Sequence, residues 1–599
     1  MFGRHLVGAA LVLALLTPVG WAQAQGSLPP FMPLAEIKPG MRGIGRTVIQ
    51  GQKIEEFTIE VIGILKGGGG IIPVKHLVLF RTSGSVIDRS GGTAAGMSGS
   101  PLFIGGKLIG ALSAGYLFQP EKRDLALATP IEEMLRVLDL PPGSPGSLWP
   151  RTFVANRPIW IGDRLINKVV IAGDFTQAER VNTARIPGVI AFTPATFPAA
   201  VSGLTARAQR IVERVLGLRQ PLLQYLGAST GFKVAPITGG SSVGILQVRG
   251  DIDFGGICTV TLRVGTKLLI CGHPWDLLGD VVYALTASEV ITVVRTLEQP
   301  FKEANLGDVI GTIDQDRGPA IRGILGKMPR MFPVRVKVTD LDKNSTISKA
   351  MQVVPRADLA KLFTLVMTLT AIDLARDQTL GGGTAEVKIT LRGKGLSRAL
   401  ARENTFYSSR DIALASLLDL PDALNFFFYN DFIAIDPVDI RIEVGLTAKR
   451  NTAAIANISV DRRELSPGET LKVRLTLRPF RGQAQSQVID VAIPKDFPRG
   501  QAVLKVSPAG TQIPIEFSPE ERMVQFLLKE PEPIPADTLE EAIEFFEDAG
   551  KNTDVLIQVV PSNTQANGAK SVKVDVSVEE LVKTNWVLQG SVEIPIFIR

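Results

Sequence analysis

Gly91-Gly92-Thr93-Ala94-Ala95-Gly96-Met97-Ser98-Gly99-Ser100-Pro101 is the stretch on which the fold turns. It runs into Leu102-Phe103-Ile104, a Gly105-Gly106 turn and Leu108-Ile109-Gly110-Ala111-Leu112. A tight turn of small residues is thus followed at once by a β-hairpin. That combination suits a serine nucleophile, which must protrude from a turn with backbone N–H groups beside it to hold an oxyanion. Gly96 gives the backbone the freedom to aim two N–H groups at one point, and Gly99 keeps bulk away from the attacked carbonyl. The hairpin would hold the turn rigidly.

Outward from this turn the chain reads as β structure. Phe57, Ile59 and Val61 alternate with Thr58 and Glu60, Leu77 to Phe80 is a short buried strand, and Ile131 to Leu138 is a closing helix. Proline and glycine at Pro141 to Pro150 mark a boundary, so residues 30–140 form a first unit. Residues 151–235 are a mixed insert with a helix near Leu204 to Leu216, whose Arg207, Arg210 and Arg214 are expected on a solvated face. β character returns over 236–345, with a hairpin through Thr259–Val264 and Leu268–Ile270. Residues 346–445 read as α/β, with helices near 357–376 and 411–419 and a core stretch Phe426-Phe427-Phe428-Tyr429. Leu471, Val473, Leu475 and Leu477 share one face of a strand in a sandwich-like region over 446–530. A proline-rich spacer then leads to 531–599, where a Thr538/Glu541 capping box opens a helix and strands near 555–560, 570–577 and 586–598 close the chain.

The 599 residues are too many for a single core, and 45% hydrophobic with 21% charged residues excludes a largely disordered chain. A net charge of +6 without long like-charge runs gives no nucleic-acid footprint. Arg4 and His5 precede an apolar Leu6–Leu16 stretch and Ala22-Gln23-Ala24, so residues 1–24 read as a signal peptide cleaved near Ala24. The mature chain is then expected outside the cytoplasm, periplasmic or extracellular, without a transmembrane anchor. Two cysteines and three histidines show no metal-ligand spacing, and neither a metal nor another cofactor is expected. His5 falls in the signal peptide and His76 reads as a structural histidine at a strand start, which leaves His273 as the candidate base.

The serine stretch closely resembles the Gly-Met-Ser-Gly-Ser-Pro segment of the SpoIVB-type serine peptidases, the S55 family. The likeness continues through Gly106-Lys107-Leu108-Ile109-Gly110-Ala111 and Thr129-Pro130-Ile131-Glu132-Glu133-Met134-Leu135. Gly256 to Thr261 and Cys271-Gly272-His273-Pro274 resemble the segment that bears that family's catalytic histidine, and Gly307 to Thr312 and Gly323 to Gly326 extend the likeness. The resemblance implies a chymotrypsin-like double β-barrel, with Ser98 as nucleophile, the N–H groups of Gly96 and Ser98 as oxyanion donors, and His273 as base. The fold class expected is therefore mainly β with α/β parts: a double barrel, then an α/β region and a C-terminal β-sandwich-like region.

Two departures from the family pattern stand out. The serine half-barrel precedes the histidine half-barrel, a circularly permuted order, and triad geometry is compatible with several chain orders. The family's acid position falls on Ser83, with Asp88, Asp276 and Asp280 as the candidate acids nearby in sequence. Cys258 and Cys271 flank the hairpin and are expected opposite each other, close enough for a disulfide. The function expected is an exported serine endopeptidase acting on protein or peptide substrates in the cell envelope. The alternative is a non-catalytic envelope protein that keeps the barrel as a binding scaffold.

Overall fold

The computed structural model describes residues 28–66, 74–115, 124–141, 151–161, 164–171, 187–192, 199–216, 226–227, 231–296, 300–510, 521, 524, 527, 534–562 and 578–599. The expected signal peptide, and the strand expected over 570–577 up to its last residue, lie outside them.

Six strands close a first barrel: β1 (Arg42–Val48), β2 (Ile54–Lys66), β3 (His76–Ser83), β4 (Pro101–Ile104), β5 (Lys107–Gly115) and β6 (Leu125–Pro130), in the order β1-β2-β3-β6-β5-β4. The β1–β4 pairing, Ile44 opposite Phe103 and Gly45 opposite Leu102, shuts the ring. Alternation puts Phe57, Ile59, Val61, Val78 and Phe80 into its core, and Met97 from the serine turn is buried with them. Between β3 and β4 lies α1 (Ser85–Ser90), and α2 (Ile131–Leu138) follows β6.

A second ring comes from a 13-stranded sheet. Asp253–Val264 pairs with Lys267–Ile270, then Ala320–Leu325, Phe301–Arg317, Gly279–Val294 and Ser242–Gly250, and the last returns to Asp253–Val264. The 236–345 segment thus closes a barrel of its own. Two apolar seams join the rings. In one, Leu108, Ala111, Ile131, Met134 and Val137 pack with Leu262, Leu269 and Ala320; in the other, Val48 packs with Ile257, Ala284 and Val290. Buried Arg322 reaches across the first seam to the carbonyls of Val137, Leu138, Leu140 and Pro141, where α2 ends, while pairing with Asp314. A helix C-terminus attracts such a cation.

The boundary expected at 345 is not a break. Phe332–Asp340 and Ser345–Val353 form one hairpin, and Val248 pairs with Val353, so the second sheet runs on through 346–447. Ala357–Arg376 is the central helix under that sheet, almost wholly buried. The helical stretch Ile412–Tyr429 is apolar and long enough to cross a membrane, and 78% of it is buried inside the fold. In the insert, Ala206–Val215 is helical, but Arg207 is buried and paired with Asp373 and Asp411. The central helix packs against this helix and takes Arg207 out of solvent.

The C-terminal sandwich faces a four-stranded sheet (Gln485–Ala492, Thr470–Pro479, Thr452–Val460, Val587–Gln589) against a five-stranded one containing Gly500–Pro508 and Asp554–Pro561. The strands after 551 therefore belong to the sandwich itself. The helix Leu539–Asp548, opened by Thr538 accepting the Glu541 N–H, instead packs Ala542 and Ile543 into the main core.

Candidate active site

The serine turn is folded by its own small residues. Gly96 and Gly99 take φ of +87° and +95°, conformations that side chains rarely adopt. The Met97 N–H bonds Ala94 O and the Ser100 N–H bonds Met97 O, winding the turn tightly. Ser100 is fully buried and its hydroxyl donates to Met97 O at 2.6 Å, a structural bond. Ser98, by contrast, is half-exposed. Among the described residues, the N–H groups of Gly96 and Ser98 donate to no protein acceptor.

The turn is pinned to the second barrel. The Thr259 N–H donates to Ser98 O at 2.8 Å, Thr261 Oγ1 to Gly99 O at 2.7 Å and Thr259 Oγ1 to Gly96 O at 2.9 Å. A Cβ on Gly99 would lie 1.9 Å from Thr259 O and 2.6 Å from Cys271 N. Gly99 is therefore needed for close approach of the second barrel, a different reason from the substrate clearance expected of it.

His273 leaves the same strand junction two residues after Cys271. Cys271 N–H donates to Thr259 O, and a disulfide joins Cys271 to Cys258 with a Cα–Cα distance of 5.1 Å. Thr129 Oγ1 of the first barrel donates to Gly272 O at 2.6 Å, and a Cβ on Gly272 would lie 3.1 Å from Leu112 O. That same Leu112 carbonyl accepts the Gly99 N–H. The serine turn and the histidine turn thus abut one point on β5. Cys271 and Leu277, at φ +69° and +56°, carry left-handed backbone on either side of His273, the kind of strain that persists only where surrounding structure enforces it.

The His273 ring is buried, with Nδ1 2.8 Å from Pro274 O. A carbonyl only accepts, so Nδ1 carries the proton and Nε2 the lone pair. Burial pulls its pKa down to about 4, against the Pro274 bond, which raises it. The loop after it is tied down by buried Asp316, whose carboxylate accepts the N–H groups of Trp275, Asp276 and Leu278. Burial and the neighbouring Asp276 charge push Asp316 up to about 7 despite those donors.

The candidate acids are engaged elsewhere or exposed. Asp276 accepts from Gln247, Tyr283 and Arg356, and Asp280 from Gln315 and Arg317. Asp88 is exposed on α1, and Ser83 is exposed at the end of β3. His76 lies against Glu133 at the rim of the first barrel.

One group at the site carries no motif in the sequence. Lys302 is fully buried, its Nζ 3.2 Å from both Thr47 Oγ1 and Thr259 Oγ1. The readable signal was alternation: Lys302, Ala304 and Leu306 share the inward face of their strand. Among the described residues no cluster of His, Cys, Asp and Glu could hold a metal ion.

Residues 27–135 match the family model of the SpoIVB peptidase S55. The match contains the first barrel and the serine turn and ends before His273. No curated protein and no solved structure matches the chain.

Proposed function

From a first barrel of the SpoIVB peptidase S55 type, we propose that this protein is an exported serine endopeptidase with Ser98 as nucleophile and His273 as base. The observation that carries the reading is the half-exposed Ser98 on a turn whose flanking amides donate to no described acceptor, against a buried Ser100. Ser98 Oγ attacks a peptide carbonyl while His273 Nε2 takes its proton, and the tetrahedral oxyanion settles on the Gly96 and Ser98 N–H groups. His273 then returns the proton to the leaving amine, and water repeats the cycle on the acyl-enzyme.

The tautomer of the base, an aspartate's task in a triad, falls here to the Pro274 carbonyl. This accommodates a serine at position 83. The signal-like sequence Leu6–Leu16 with Ala22-Gln23-Ala24 supports export, and envelope proteins or peptides are the substrates that follow. A fluorophosphonate probe tests the reading. The mature protein should be labelled stoichiometrically, and Ser98→Ala should abolish the label. An unlabelled wild type of demonstrated fold would favour the binding-scaffold alternative instead.

A further inference from the structure

Lys302 sits directly behind the serine turn, and no catalytic scheme built on Ser98 and His273 uses it. Its side chain runs along Gly96: a Cβ there would lie 3.1 to 3.3 Å from Lys302 Cδ, Cβ and Cγ. Its backbone N–H donates to Ala95 O at 3.0 Å, while Ala95 N–H donates to Pro300 O. Its Nζ donates to Thr47 Oγ1 on β1 and to Thr259 Oγ1 on the second barrel, and the Thr259 hydroxyl in turn donates to Gly96 O. One amine therefore ties both barrels to the residue proposed to cradle the oxyanion.

The charge itself calls for an account. Among the described residues no carboxylate pairs with Lys302, and a buried ammonium without an anion is costly. A methionine would fill the same space without that cost. Charged groups on the surrounding elements are occupied or face away. Arg46 on β1 pairs with Glu56 on β2, Glu55 pairs with Arg89, and Arg263 donates to the carbonyls of Ile237 and Gly265. Glu303 is the next residue on its own strand and so takes the opposite face, and Glu289 lies three positions along, opposite Asn305. Burial alone pulls the ammonium down to about 7.

Resting on the serine-peptidase reading, we propose that Lys302 is a positioning residue for acyl transfer. Through Thr259 it fixes the Gly96–Ser98 turn, and its positive charge makes that turn a better seat for the oxyanion. Negative charge that develops only in the transition state would relieve the unpaired ammonium, so the cost is placed where it favours the reaction. The nearby Gly96 leaves room for this arrangement, which a side chain at that position would obstruct.

The test measures fluorophosphonate labelling rate against pH, with thermal midpoint, for the mature wild type, K302M, T259V and S98A. K302M should label at least tenfold more slowly while melting at or above the wild-type temperature, a split that a merely structural lysine would not produce. T259V, which keeps the charge and cuts its link to Gly96, should fall between. The wild-type rate should decline as pH rises through about 7, where the amine discharges, and K302M should lack that limb. Equal rates and pH profiles for wild type and K302M overturn the proposal and leave Ser98 standing. A K302M chain that melts lower or fails to fold assigns the lysine to structure and also overturns it. An unlabelled wild type overturns the serine-peptidase reading first and this proposal with it.

Discussion

Replacing Gly99 by alanine should separate the two barrels at the point where the serine turn is held. The added methyl would sit 1.9 Å from Thr259 O and 2.6 Å from Cys271 N, where ordinary contact begins at 3.4 Å. The second-barrel strand would have to recede by ~1.5 Å, the difference between 3.4 and 1.9 Å. That movement breaks Thr259 N–H to Ser98 O and Thr261 Oγ1 to Gly99 O, each worth about 1 kcal/mol net. A φ of +95° adds about 1–2 kcal/mol for a residue with a Cβ. The expected loss is ~3–4 kcal/mol. Gly105→Ala is the control: it shares the left-handed backbone, at φ +57°, but nothing lies within 4 Å of its added methyl, so only about 1–2 kcal/mol should be lost. Differential scanning calorimetry of both variants reads the difference, roughly 2–4 °C per kcal/mol for a unit of this size. Fluorophosphonate labelling of Gly99→Ala should slow as its turn loses its anchor, while Gly105→Ala labels normally. Equal midpoints for the two variants would refute the close-approach argument.

Other outcomes follow from the same geometry. Labelling should keep its rate well below pH 6.5 and fall only near pH 4, because burial holds His273 neutral to about that pH. Its folded pKa lies below the unfolded value, so its protonation should cost ~3 kcal/mol of stability between pH 6.5 and 4. Asp316, raised to about 7, changes stability in the opposite sense over the same range in both proteins, so urea titrations at both pH values should find the wild type losing ~3 kcal/mol relative to His273→Gln. Thiol titration of the denatured, unreduced protein should find no free thiol, and two after reduction; two free thiols before reduction would refute the Cys258–Cys271 bond. Arg322→Met should destabilise the double barrel by about 3–5 kcal/mol, since it strands buried Asp314 as well as the carbonyls at the end of α2. A calorimetric shift near zero would show that the first seam does not depend on this pair.

How much of this was legible in the sequence depended on whether the partners are near in the chain. The serine turn with its hairpin, the helix at Ile131–Leu138 and the alternating strand Leu471–Leu477 are local patterns, and the structure has them where they were read. The buried charges were not legible. Arg207 follows a helical row of arginines and reads as solvated until Asp373, 166 residues away, covers it. Lys302 meets Thr47 across 255 positions. Asp316 looks like one acid among several in Asp314-Gln315-Asp316-Arg317, and only the fold brings the three N–H groups after His273 onto it. The sequence around 345 reads as a boundary for a related reason: a hairpin turn and a domain boundary carry the same polar composition, and here Asp340–Ser345 is the turn.

The order of the two barrels, with the serine turn far ahead of the histidine turn in the chain, has a physical consequence. In this chain nothing sequential holds Ser98 near His273, since the insert and six barrel strands, three from each barrel, intervene. Their relation must be enforced by cross-barrel contacts. Those contacts concentrate at the strand Asp253–Val264: its Thr259 bonds Ser98, Gly96 and Lys302, its Thr261 bonds Gly99, and its Cys258 is tied to Cys271. The first barrel answers from β5 and β6, where Leu112 accepts Gly99 N–H and Thr129 holds Gly272. Each turn is thereby anchored in both barrels, so a shift of one barrel against the other would move both turns together. A chain with its barrels in this order can keep the two turns side by side on these terms, because the seam does the work that chain connectivity does not. Substitutions at Thr259 and Thr261 should accordingly impair labelling more than substitutions of equal size elsewhere on the same strand, even though neither threonine takes part in the chemistry.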